Sequence, residues 1–114
     1  MKFKLTRLLA MSAVAATTAL TGALASAQDQ YVPILSYRVG AYASGGSGFF
    51  GGVIDYFNLV NANGGINGVK ISFEECETGY ATDRGVECYE RLKGRPGVAL
   101  FDPQATGITF ALTE

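Results

Sequence analysis

Between Ser44 and Glu75 the hydrophobic period changes once, across SGGSGFFGGVIDYFNLVNANGGINGVKISFEE. That change constrains the fold more than any other feature. Phe49, Phe50, Val53, Ile54, Phe57 and Val60 recur at three- and four-residue steps, with Asp55, Asn58 and Asn61 between them. This is the period of a helix with one buried face. Ser47 is placed to cap its start, because a serine hydroxyl accepts from free N–H groups of a first turn. Gly64 or Gly65 is placed to end it in the left-handed conformation. Beyond the turn, Val69, Ile71 and Phe73 alternate with Lys70, Ser72 and Glu74, the two-residue repeat of a strand. With a strand at Leu35–Val39 the unit reads strand, glycine-rich loop, helix, strand. A right-handed crossover makes the two strands parallel.

The alternation continues downstream. Tyr31–Val39 contains the first strand, and Gly40–Gly48 is the loop after it. Glu74, Glu75 and Glu77 put three carboxylates in four residues. Such a group suits either acid–base work or a solvated strand end. Thr82 or Asp83 is placed to cap a second helix through Lys93, with Val86, Tyr89 and Leu92 on one side. Gly94 and Pro96 stop it. Val98-Ala99-Leu100-Phe101 is apolar throughout, as an interior parallel strand requires. Asp102–Ala105 is the next loop, and Thr106 caps a third helix. The order β-α-β-α-β-α predicts an α/β fold with an open, doubly wound parallel sheet.

Lys2, Lys4 and Arg7 precede the nearly uncharged run Leu8–Leu24, and Ala25-Ser26-Ala27 precedes polar residues. Basic, apolar and small-residue regions in that order predict a secretory signal peptide over residues 1–27. The apolar run is short for a membrane span and diluted by Ala, Thr and Gly. Cleavage after Ala27 removes three of the nine basic residues and none of the ten acidic ones, leaving a net charge of −4. No basic patch remains for nucleic acid. The chain has no His, which removes the commonest metal ligand and general base. Ser44 and Ser47 have no basic partner. Neither catalytic residues, nor a metal, nor a cofactor is expected. A short parallel unit normally belongs to a larger sheet covered on both faces, and Thr106–Glu114 reads as a helix just begun. The expectation is that residues 28–114 are the truncated start of a domain.

Gly46-x-Gly48-x-x-Gly51 matches a dinucleotide fingerprint, and Glu74 and Glu75 lie 23 and 24 residues beyond it. An exported, nucleotide-binding, oxidoreductase-like domain is therefore one alternative. The loop from Val39 to Gly46 is long for the tight first turn of that motif. The same glycines also suit a loop whose N–H groups face a ligand at the carboxyl ends of strands. Cys76 and Cys88 are the only cysteines. An even count in an exported chain favours a disulfide. Two separate buried thiols fit the same spacing, because the distance between them is not legible in sequence.

NANGGINGVKISFEE, from Asn61 to Glu75, resembles a segment of the periplasmic solute-binding proteins of ABC importers, in the branched-chain amino acid (leucine-binding, type I) class. ECETGYATDRGVECYERLKG, from Glu75 to Gly94, resembles an amino-acid or urea/amide-binding subgroup. SYRVGAYASGGSG and FDPQATGIT fit the same pattern, so the resemblance covers Val32 to Glu114. It implies the start of the first lobe of a two-lobed protein that is not an enzyme. Such a protein captures an amino acid or small amide in the periplasm and delivers it to an inner-membrane permease. In the family, loops after the first and third strands hold the ligand's polar head. On this chain they are Tyr42–Ser47 and Pro103–Gly107. The matching groups are the hydroxyls of Ser44 and Thr106 and the N–H groups of Gly45, Ala105 and Gly107. Tyr42 and Gln104 lie in the same loops. Ala105 stands where many relatives carry Ser. A ligand-sensing receptor ectodomain shares the binding lobe and is a second alternative; it requires a transmembrane segment downstream.

Overall fold

The computed structural model describes residues 28–113; the signal-peptide reading of residues 1–27 lies outside them. Five elements follow in order: β1 (Gln30–Ser36), α1 (Ala43–Ala62), β2 (Ile71–Glu77), α2 (Thr82–Leu92) and α3 (Thr106–Thr113). β1 and β2 pair in parallel, from Gln30 opposite Ile71 to Ser36 opposite Glu77. The first strand therefore ends at Ser36 instead of running to Val39. α1 lies on one face of the pair, where Phe57 meets Phe73 of β2 with ring centroids 5.7 Å apart. The other face carries α2 and α3. There Leu35, Cys76, Cys88, Leu92, Ala105 and Ile108 form the buried core, with Tyr80, Phe101 and Leu112 packed against it.

The residues expected to form a third strand make a single bridge, Val98 opposite Tyr31. An interior strand needs a neighbour on each side, and among the described residues only β1 is there. Pro33 also has no amide hydrogen to give along β1. Leu100 is consequently 63% exposed.

α1 begins at Ala43, four residues before the expected cap. Its N-cap is Tyr42, with no side-chain hydrogen bond. Ser47 lies inside the helix, where its hydroxyl donates to Arg38 O at 3.4 Å and its carbonyl accepts from Arg38 Nη1 at 3.1 Å. The glycines permit this start. A Cβ on Gly46 would sit 2.0 Å from Tyr37 O, so the first turn packs directly on the backbone that leaves β1. Phe50, 2% exposed, is the one large side chain of α1 fully buried, and Phe49 is 48% exposed. Val53, Ile54, Phe57 and Val60 are half-buried. The helix ends through Gly64 and Gly65, at φ +93° and +82°, and Gly65 N–H donates to Val60 O at 2.9 Å. Asn61 does not face water alone. Its Nδ2 donates to Ile71 O at 2.6 Å and its Oδ1 accepts from Ile71 N at 2.8 Å. The side-chain amide thus substitutes for a neighbouring strand at the start of β2.

α2 takes Ala81 as N-cap without a side-chain bond, so neither Thr82 nor Asp83 caps it. It ends at Leu92, one residue short of Lys93. Gly85 lets α3 approach, since a Cβ there would meet Ile108 at 2.5 Å. Thr106 is the first residue of α3 and not its cap. Cys76 and Cys88 are joined in a disulfide with Cα atoms 6.0 Å apart, linking β2 to α2.

Candidate ligand rim at the strand ends

The carboxyl ends of β1 and β2 are tied together by one side chain. Glu77, the last residue of β2, accepts from Arg38 N at 2.8 Å, Gly79 N at 2.7 Å and Ser36 Oγ at 3.1 Å. Partial burial pushes its pKa up, but the amide bonds from Arg38 and Gly79 and the Ser36 hydroxyl outweigh this. They hold the carboxyl below the usual carboxylate range. Buried Thr78 adds a second tie. Its N–H and Oγ1 both donate to Ser36 O, at 2.7 and 2.8 Å. Its Oγ1 also accepts from Tyr80 N at 3.1 Å. The two loops then touch: a Cβ on Gly40, at φ +85°, would lie 3.2 Å from Gly79 O.

The acidic run is therefore three separately bonded carboxylates at the end of β2, Glu75 exposed and Glu74 and Glu77 half-buried, and not a free acid–base pair. Glu74 accepts from Arg91 Nη1 at 2.9 Å and Arg95 Nη2 at 2.8 Å. Glu75 pairs with Arg38. Among the described residues no three His, Cys, Asp or Glu side chains are grouped to hold a metal.

Above Glu77 an aromatic row leads from core to solvent. Buried Phe50 meets Tyr37 edge-on at 4.9 Å, and Tyr37 meets Tyr80 at 5.0 Å. Tyr80 lies against Tyr42 at 4.3 Å with the rings tilted by 36°. Tyr42 ends the row, 56% exposed, at the N-cap of α1. Among the described residues three non-glycine residues have positive φ: Asn67 at 51°, Tyr80 at 67° and Gln104 at 51°. Asn67 lies in the Asn/Gly turn, where its type is common. Tyr80 precedes α2 and Gln104 precedes α3, so both strained positions fall in loops that enter helices.

The residues that the resemblance points to are distributed as follows. Ser44 and Gly45 are exposed in the first turn of α1, and Gly45 N–H donates to Tyr42 O at 3.1 Å within that turn. Gln104 is exposed and its amide donates to Asp102 Oδ2 at 2.6 Å. Ala105 is 2% exposed and its methyl belongs to the core. Thr106 and Gly107 are exposed in the first turn of α3, whose N–H groups have no partner within the helix. Gln104, Ala105 and Thr106 line an open pocket with Asp102, Thr109 and Phe110. Gln104 also borders an apolar groove of about 260 Å³, whose other walls include Ile34, Phe49, Phe50 and Leu100. Tyr42, Ser44 and Gly45 line neither. Sequence reasoning missed Tyr37, Tyr80 and the part Glu77 plays in tying the strand ends together. The signal available was a tyrosine in each of three stretches next to a strand end or helix start.

The fold is thus an α/β unit with helices on both faces of a parallel sheet and its glycine- and tyrosine-rich loops at the strands' carboxyl ends. The chain belongs to the periplasmic binding protein family, whose model it matches over residues 29–114, in the type I class. It is similar to a crystal structure described as an ABC transporter permease from the Pseudomonas fluorescens group. Identity is 48% and the TM-score 0.69, over 74% of this chain and 21% of that one. The chain thus spans about a fifth of the length of that protein. No curated protein matches it. The dinucleotide alternative loses its structural basis here, because Gly46, Gly48 and Gly51 lie inside α1 and not in the turn before it.

Proposed function

We propose that this chain is substrate-binding sequence of an ABC importer. It captures an amino acid or a related small amide or urea in the periplasm for delivery to an inner-membrane permease. Residues 28–114 are then the opening part of the first lobe, exported by a signal peptide over residues 1–27. The observation that carries the reading is the family match across residues 29–114, and the 48% identical ABC transporter structure supports it. The rim adds a physical rationale. The first turn of α3 brings unpaired N–H groups and partial positive charge beside Gln104 and Thr106, and the exposed Ser44 stands in the first turn of α1. Such a terminus suits a carboxylate or amide oxygen.

Calorimetric titration with a panel of amino acids, short amides and NAD tests the reading. Saturable heat with an amino acid or amide and none with NAD is expected. Binding of NAD alone would overturn it. A ligand in a cleft is normally covered on most of its surface, and one lobe contributes only one wall. Each charge-assisted hydrogen bond that the other wall would supply is worth roughly 1.5–3 kcal/mol, and about 1.4 kcal/mol is tenfold in affinity. Residues 28–114 alone are therefore expected to bind in the millimolar range. N-terminal sequencing of periplasmic material should begin at Gln28; a membrane-embedded product retaining Met1 would contradict the export assignment.

A further inference from the structure

We propose that Tyr80 is a positioning residue for the ligand rim: it sets the orientation of the exposed Tyr42 ring at the N-cap of α1. The proposal rests on the binding function above and adds a residue that the family resemblance did not mark.

Tyr42 has little else to hold it. Its residue is a helix N-cap without a side-chain bond, and its ring is more exposed than buried. Tyr80 presents the complementary surface, a ring 4.3 Å away and tilted by only 36°. Tyr80 is itself fixed from three directions. Its N–H donates to the buried Thr78 hydroxyl at 3.1 Å. Its ring is met edge-on by Tyr37 at 5.0 Å, and it packs against the core that contains the disulfide. A bulky aromatic at φ +67° is an outlier. Such conformations persist where the surroundings over-determine them, and they cluster at ligand clamps. Here the over-determination is visible: Glu77 receives N–H bonds from both loops, and Gly40 abuts Gly79. The strained backbone delivers the Tyr80 ring to the exposed Tyr42 ring at the α1 N-cap.

The test compares the full chain with Tyr80→Phe and Tyr80→Leu. Phe keeps the ring; Leu keeps apolar bulk against the core but has no flat face. The readouts are the proton NMR shifts of the Tyr42 ring and calorimetric affinity for L-leucine, L-glutamine, acetamide and urea. In the wild-type chain, nuclear Overhauser contacts between the Tyr42 and Tyr80 rings are expected; their absence overturns the proposal without any variant. Tyr80→Phe should keep the Tyr42 shifts and the affinity. Tyr80→Leu should move the shifts toward those of a free tyrosine and weaken binding by about threefold to tenfold, the range of an aromatic pair. Leu behaving as Phe in both readouts means that Tyr80 only fills space, and the positioning role falls. A wild-type chain that binds none of the four probes removes the binding function itself, a different failure from equal binding by all three proteins.

Discussion

Glu77 is one carboxylate holding donors from both sides of a strand pair, and its protonation should be felt in the whole rim. Its folded pKa is depressed. It therefore stabilises the fold above the unfolded glutamate value of about 4.3, and that contribution is lost as pH falls through the lower folded value. Urea denaturation between neutral and acid pH should show this loss, and Glu77→Gln should flatten it. At neutral pH the same substitution is expected to cost about 1–2 kcal/mol, since charged hydrogen bonds to Arg38 and Gly79 become neutral ones. An unchanged acid limb in the variant would show that other carboxylates dominate. The sequence displays this residue as one of three acids within four positions. It does not display its role, because which carboxylate meets free loop amides depends on where β2 ends.

At the scale of elements, the glycines of α1 divide into two kinds that look alike in sequence. Gly46 faces Tyr37 O, with no room for a Cβ, whereas Gly48 has open space around it. Gly46→Ala must push α1 off β1 and is expected to destabilise by roughly 2–3 kcal/mol. Gly48→Ala should stabilise by about 0.5–1 kcal/mol through helix propensity. Thermal melts of the two variants decide the point, and equal effects would contradict the packing described. The periodicity from Phe49 to Phe73 made α1 and β2 legible, and the Asn/Gly turn made their junction legible. The start of α1 was not, because glycines usually signal loops, and here close approach to strand backbone overrides propensity. The third strand was read from apolarity alone. Val98–Phe101 has that composition, but pairing on one side supports only a bridge at Val98. Of the rim, Tyr42 and the start of α3 were reached through family motifs. Tyr80 was not, since it depends on a left-handed backbone that sequence does not announce.

For the molecule as a whole, the core is thin and one covalent tie crosses it. The Cys76–Cys88 bridge closes a span of 12 residues between β2 and α2. Cross-links over spans of this order typically contribute about 2–3 kcal/mol. Reduction should therefore lower the melting temperature by about 10 °C in a domain this small. A Cys76→Ser/Cys88→Ser double variant should match the reduced protein, and a melt unmoved by reductant would rule out a stabilising bridge. The short span has a consequence for how the chain comes to be folded. In a chain threaded N-terminus first into an oxidising compartment, both thiols emerge almost together. The loop bearing Tyr80 is then stapled before α3 has arrived to cover it. Oxidation would thus precede completion of the core, and a pulse-labelled, newly exported chain should already resist alkylation while it is still sensitive to protease.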